Sequence, residues 1–259
     1  MVHSATHLKG RTLRARDGVI GHVTDLYFDD ETWAVRYLVV DTEEKLKPHA
    51  VLISPGVAGT ADWQLAEIPV DLTTDEIRQS PDVDADKPPT REHELLLEQY
   101  YGWAAYTGSL FAEPIMPMPV LIPVIPPTDQ AGRNDGDKSA PHSENAHLRS
   151  VNDTVGYHVR ASDGEVGHLD DFLIDDETWR IHYFVIDTRN WLPGRKVLVA
   201  PDWVRDVDWV AQKVHADLTR DAVKASPPYD DSVPWQADYA SELSTHYGRA
   251  KQEAHTPSG

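Results

Sequence analysis

Apolar and polar residues alternate in two short runs, Val35-Arg36-Tyr37 with Val39 and Ile181-His182-Tyr183 with Val185. A period of two in β-branched and aromatic residues predicts strands. Around Val40 and Ile186 both faces turn apolar, as expected when a small sheet closes on itself. The preceding segments, 19–28 and 165–174, slip out of alternation between Val23 and Leu26 and between Leu169 and Phe172. That slip predicts a β-bulge near Asp25 and Asp171, bending each strand. Further strands are expected near 49–54 and from Trp63 to Val70, with a turn at Pro55-Gly56. Thr73-Thr74-Asp75-Glu76 has the form of a capping box, opening a helix stopped by Ser80-Pro81. A second helical stretch, 92–101, carries Leu95, Leu96, Leu97 and Tyr100.

The pattern occurs twice. DDETW stands at 29–33 and again at 175–179, 146 residues later, and at that offset residues 10–42 align without a gap to 156–188, with 17 of 33 positions identical. The register persists: Val51–Pro55 meets Val197–Pro201, Trp63 meets Trp209, Asp71-Leu72-Thr73 meets Asp217-Leu218-Thr219, and Tyr101-Gly102 meets Tyr247-Gly248. An internal duplication of domain-sized units is the economical explanation. It predicts a mainly β fold of two tandem small barrels, at 5–103 and 150–249, each followed by short α-helices. Residues 104–149 are then a linker and 250–259 a disordered tail. The first half of the linker interleaves Pro114, Pro117, Pro119, Pro123, Pro126 and Pro127 with Ile, Met, Val and Leu. Prolines at that density exclude a membrane helix and favour extended backbone. The segment reads either as an apolar strap over a barrel groove or as a docking segment for a partner.

Composition narrows the function classes. The 259 residues carry a formal net charge of −19, which argues against a nucleic-acid partner because phosphates demand a basic face. With no cysteine there is no disulfide framework, thiolate metal site or cysteine nucleophile. No window approaches the roughly 18 uninterrupted apolar residues of a membrane span, and the N-terminus has no signal-peptide core. The expectation is a soluble cytoplasmic protein.

Several residues are candidates for chemistry. Asp29, Asp30 and Glu31, with Asp175, Asp176 and Glu177, are weak candidates for a hard cation such as Ca²⁺ or Mg²⁺. The spacing of a calcium loop is missing, and three consecutive carboxylates in a turn cannot all face one centre. A solvated hairpin turn closed by Thr32 and anchored by Trp33 accounts for the same residues. His22 and His168 each precede an aspartate by three residues, so His22/Asp25 and His168/Asp171 are candidate pH-sensitive pairs. The plainer reading is a hydrogen-bonded histidine near the bulge. No serine, cysteine or second base recurs beside them, no phosphate-cradling glycine loop is present, and no catalytic residue or cofactor is expected.

GHVTDLYFDDETWAVRYLVVDT, its copy within 156–188, and NWLPGRKVLVAP at 190–201 resemble the PRC-barrel domain. So does the tail in which Asp71-Leu72-Thr73 and Ile77 precede Ser80-Pro81 and a helix ending Tyr100-Tyr101-Gly102-Trp103. Such domains occur in the cytoplasmic part of the photosynthetic reaction-centre H subunit and at the C-terminus of a ribosome maturation factor. The resemblance implies a six-stranded barrel acting as a protein-interaction module rather than an enzyme. The copies differ most at Arg189–Lys196, which follows the family's loop, against Glu43–Ala50, which departs from it. Trp191, Arg195 and Lys196 are therefore candidate contact residues. The competing reading folds Trp191 back as a lid, with Arg195 paired to a carboxylate. The leading expectation is a non-catalytic adaptor that binds another protein, or pairs its own barrels as a pseudo-dimer. Alternatives are an H-subunit-like accessory role in a peripheral membrane complex, without that subunit's membrane helix, and an ion- or pH-responsive acidic module.

Overall fold

The computed structural model describes residues 2–42, 50–59, 66–81, 84, 87–103, 147–188, 195–231 and 237–255. The first repeat runs β1 (Val2–Ser4), α1 (Ala5–Leu8), β2 (Thr12–Arg14), β3 (Val19–Asp29), β4 (Val35–Thr42), β5 (Val51–Ile53), β6 (Glu67–Pro69), α2 (Thr74–Gln79) and α3 (Arg91–Tyr101). The second runs β7 (Leu148–Ser150), α4 (Val151–Thr154), β8 (His158–Ala161), β9 (Gly164–Asp175), β10 (Ile181–Asp187), β11 (Lys196–Val199), β12 (Val204–Asp208), β13 (Lys213–Ala216), α5 (Arg220–Ala225) and α6 (Ala237–His255).

The fold is mainly β, in two sheets ordered β5-β4-β3-β2-β6 and β11-β10-β9-β8-β13-β12. Neighbours are antiparallel except β2 with β6 and β8 with β13. A 3-10 turn, Pro55–Val57 or Pro201–Trp203, leads the chain from one end of each order back to the other. There Ala58 bridges Val70 in the first sheet, and β12 pairs with β13 in the second.

The bulges fall where the broken alternation placed them. Thr24 is the extra residue between the pairs Val23↔Val40 and Asp25↔Val39, and Asp170 is extra between Leu169↔Ile186 and Asp171↔Val185. Just before each bulge the neighbouring backbone comes very close. A Cβ on Gly21 would lie 1.9 Å from the Asp41 carbonyl oxygen, and one on Gly167 would lie 2.0 Å from that of Asp187. Only glycine permits that approach.

The capping box expected at Thr73 is present, with Glu76 amide and Thr73 amide bonded reciprocally to the side chains of Thr73 and Glu76. Helix α3 lies on the outer face of the first sheet. Leu97 packs there with Tyr27, Tyr37, Val39 and Leu52. Glu94, 1 % exposed, accepts from Arg36 and from the Tyr37 hydroxyl, each at 3.1 Å.

Two features depart from the anticipated organisation. Leu148 and Arg149 belong to β7, although the linker was expected to extend through 149, and α6 continues to His255, inside the stretch expected to be a disordered tail. Three residues are too few to show a periodicity, so β1 and β7 leave no strand pattern in the sequence. The Pro-rich stretch 114–127, Trp63 and residues 43–49 lie outside the described residues.

Candidate functional site: exchanged strands and paired turns

The first strand of each repeat pairs with the other repeat's sheet. Val2, His3 and Ser4 of β1 sit opposite Asp175, Ile174 and Leu173 of β9. Leu148, Arg149 and Ser150 of β7 sit opposite Asp29, Phe28 and Tyr27 of β3. These registers coincide residue for residue under the 146-residue offset.

Asp25 and Asp171 anchor the exchange. Asp25 accepts from the Ser150 hydroxyl at 2.5 Å, the Asn152 amide at 3.1 Å and the Leu26 amide at 2.8 Å. Asp171 accepts from the Ser4 hydroxyl, from the Thr6 amide at 3.2 Å and from the Phe172 amide at 2.7 Å. The same serines cap the short helices, Ser4 for α1 and Ser150 for α4. Both carboxyl groups are buried. Burial raises the Asp25 pKa, a cost the three donors only partly offset.

DDETW forms the second contact. The Asp29 carboxylate accepts from the Thr32 amide at 2.8 Å, the Thr32 hydroxyl at 2.9 Å and the Glu31 amide at 3.1 Å. Asp175 does the same with Thr178 and Glu177. Each tryptophan then takes a left-handed backbone, φ 57° at Trp33 and 53° at Trp179. Such a conformation costs a bulky residue about 1 kcal/mol or more and persists where the surroundings fix it. Here it turns the backbones toward each other. The Val35 amide donates to the Trp179 carbonyl and the Ile181 amide to the Trp33 carbonyl, each at 2.8 Å, around the antiparallel bridge Ala34↔Arg180.

The rings fill the space behind this bridge. Trp33 stacks on Phe28 at 5.7 Å and meets Phe184 edge-on at 4.9 Å, while Phe28 also touches Phe172 at 5.3 Å. One apolar core is therefore continuous through both sheets. Its two sides are complementary rather than equal. The first repeat places Leu26, Phe28 and Leu38 where the second places Phe172, Ile174 and Phe184.

This geometry separates the carboxylates considered as cation ligands. Asp29 and Asp175 are spent on their own turns. Asp30 takes Arg149 at 2.8 Å and His147 at 3.2 Å, and Asp176 takes His3 at 3.1 Å. The second carboxylate of each turn thus pairs with the exchanged strand laid beside it. Glu31 and Glu177 point outward, with Glu31 within 3.5 Å of His147. Among the described residues no group of three or more potential ligands converges.

The histidine pairs differ from expectation as well. Asp25 and Asp171 are held by the serines and amides above. His22 lies exposed, 3.4 Å from the Thr12 hydroxyl, and His168 lies beside the His158 ring. Histidines that do meet aspartates are His147, on Asp30, and His3, on Asp176. His3 is the one within an exchanged strand. Its signal was the extension of the repeat upstream of Gly10, where Ser4 matches Ser150 and His3 stands where the second copy has Arg149.

Of the loop candidates, Trp191 lies outside the described residues. Arg195 is turned inward, its guanidinium donating to the carbonyls of Lys224, at 2.9 Å, and Ser226, at the end of α5. Lys196 bridges Asp170 and Asp231, each at 2.9 Å, and those carboxylates raise its pKa against the opposing effect of burial. Both cations hold the second repeat together. The sequence shows their charges but not the helix terminus and carboxylates folded beside them.

Among the described residues the exposed large apolar side chains are Val210, alone in a turn, and three on one helix. Leu95, Leu96 and Tyr100 of α3 are 49 %, 45 % and 39 % exposed. Among the described residues no helix is long and apolar enough to cross a membrane.

Residues 147–223 match the family model of the PRC-barrel domain. The matched stretch takes in β7, so its first strand is one of the two that cross to the other sheet. A comparison with curated proteins gave no match. The chain thus carries a PRC-barrel domain, at residues 147–223.

Proposed function

We propose that the protein is a non-catalytic protein-interaction module in which two paired barrels hold two different outer surfaces in fixed relation. One observation carries this reading: polar residues that tie the two halves together recur in both, whereas the outward side chains of the helix that ends each repeat do not. Asp25/Asp171, Ser4/Ser150 and DDETW are the same in both and serve pairing between the sheets, while Gly21/Gly167 recur where neighbouring strands within each sheet come close. On the outer helix, Leu95, Leu96 and Tyr100 stand where the second repeat has Ser241, Glu242 and His246. A scaffold with matched joints and unmatched faces suits an adaptor.

The test is chemical crosslinking of the tagged full-length chain in native lysate, read by mass spectrometry. Defined adducts with other proteins are expected. Recovery of the chain only as a free monomer would overturn the reading.

A pH-responsive role is the second reading. What favours it is the asymmetry of the two strand-end ion pairs, His3–Asp176 in one half and Arg149–Asp30 in the other. A histidine can change charge within the physiological range, whereas the Arg149 guanidinium stays charged.

A further inference from the structure

We propose that the outer face of α3, formed by Leu95, Leu96 and Tyr100, docks a basic amphipathic helix of a partner protein. This rests on the interaction-module reading and names its partner class and site.

Helix α3 is fixed from beneath. Leu97 is 1 % exposed, Arg36 and Tyr37 bind Glu94, Arg91 reaches Glu94 and Glu98, and Thr90 caps the first turn. The Tyr100 hydroxyl donates to the Glu76 carbonyl at 2.8 Å and ties α3 to α2. The exposed face is therefore presented on a held element, without the ordering cost of a mobile one.

Nothing in the fold requires that face to be apolar. The second repeat keeps the inward residues, Leu243 for Leu97 and Tyr247 for Tyr101, both fully buried, yet carries Ser241 and Glu242 outward and, for Tyr100, a His246 bonded to the Ala222 carbonyl at 2.7 Å. Spacing by one, four and five residues puts the three side chains on one side of the helix, the arrangement by which a helix face receives another helix.

Charge selects the occupant. Glu92 on α3 is exposed one turn before Leu95 and Leu96, and Glu76 of α2, its carboxylate held by Thr73, is exposed beside Tyr100, on a chain of formal net charge −19. A second copy would bring its own negative charge to this face. A helix with an apolar stripe rimmed by Lys or Arg would satisfy both the stripe and the border.

The experiment titrates the full-length protein with a fluorescent synthetic 18-residue helix, Leu on one face and Lys on the other. Saturable binding of one peptide per chain, weakening as salt rises, is expected. Leu95→Ser/Leu96→Glu, which keeps the Tyr100 tie, should bind at least about tenfold more weakly with an unchanged Tm. Adding Tyr100→His gives α3 the second repeat's residues at all three positions and should weaken binding further. Equal affinity for wild type and variants overturns the proposal. So does dimerisation of the wild type that the variants abolish, which would assign the face to a second copy. Binding that appears only after residues 109–127 are replaced by a Gly-Ser stretch of equal length would assign the face to the chain itself, and it too overturns the proposal. Crosslinked partners in lysate alongside any of these outcomes leave the interaction module standing and remove only this site.

Discussion

Ser150 donates its hydroxyl to the buried carboxylate of Asp25 at 2.5 Å, joining residues 125 positions apart in sequence. Ser4 makes the equivalent bond to Asp171. A carboxylate out of contact with water must be supplied with donors. Each aspartate draws one from its own strand and two from the other repeat. The two sheets are consequently not beads on a string: each completes the polar interior of the other.

Ser150→Ala should lower stability by about 1–3 kcal/mol. It removes a donor from a buried acceptor and the cap of α4, whose Asp153 amide bonds the same hydroxyl at 3.0 Å. Ser4→Ala should cost a similar amount. Urea unfolding checks both against Ser241→Ala at an exposed position of α6, which should change little.

Gly21→Ala and Gly167→Ala should each cost at least about 2 kcal/mol, because the new methyl group would meet backbone and not a flexible side chain. Gly10 is the control. It has φ +78°, and a Cβ added there would meet nothing within 4 Å, so Gly10→Ala should show only the left-handed strain of about 1 kcal/mol. Thermal melts separate the two behaviours.

His3 should make stability fall as the solution is acidified. Burial holds its pKa below the usual 6.5, outweighing the opposing pull of Asp176. The unfolded chain then binds a proton first, so His3 contributes fully above 6.5 and its contribution is lost as pH falls below that value. Asp25 runs the other way. Its burial-raised pKa favours the protonated group in the fold, giving stability at acid pH that is lost as pH rises through the raised value. Asp175 follows the usual carboxylate course: burial works against its charge, but the bonds from Thr178 and Glu177 and the nearby N-terminal charge together outweigh it, and its contribution is lost only as pH falls below 3.8. Melting temperatures at pH 7.5 and 5.5 should differ more for the wild type than for His3→Asn. Equal differences would count against His3 as the responsive group.

Much of this architecture is legible in the chain, because burial leaves a period. The alternation at Val35–Val39 marks β4, and its failure after Val23 marks the bulge. The capping box at Thr73 and Glu76 announces α2. DDETW is legible as a turn, since Asp, Thr and a following aromatic residue have local roles. What it does between the repeats is not legible, because the bridge Ala34↔Arg180 is made by backbone groups that every residue possesses. The exchanged strands escape for a related reason: VHS and LRS are too short for periodicity, and only the offset of 146 betrays Ser4 and Ser150 as a pair. Arg195 misleads in the opposite sense. A cation beside Trp191 reads as a surface contact until the carbonyls of Lys224 and Ser226 are seen to receive it.

The two repeats pair directly within one chain, and the absence of cysteine from the sequence permits a direct measurement of that pairing. Ala34 and Arg180 form a bridge flanked by the bonds from Val35 to Trp179 and from Ile181 to Trp33. They are thus a non-hydrogen-bonded antiparallel pair, with Cα atoms about 4.5 Å apart, within the span a disulfide requires. Ala34→Cys/Arg180→Cys should oxidise readily under mild conditions to one intramolecular disulfide. Mass spectrometry of peptides joining residue 34 to residue 180 would show it, together with a raised Tm under non-reducing conditions. Two thiols that stay fully reactive in the native protein, or disulfides found only between molecules, would contradict direct pairing of the repeats.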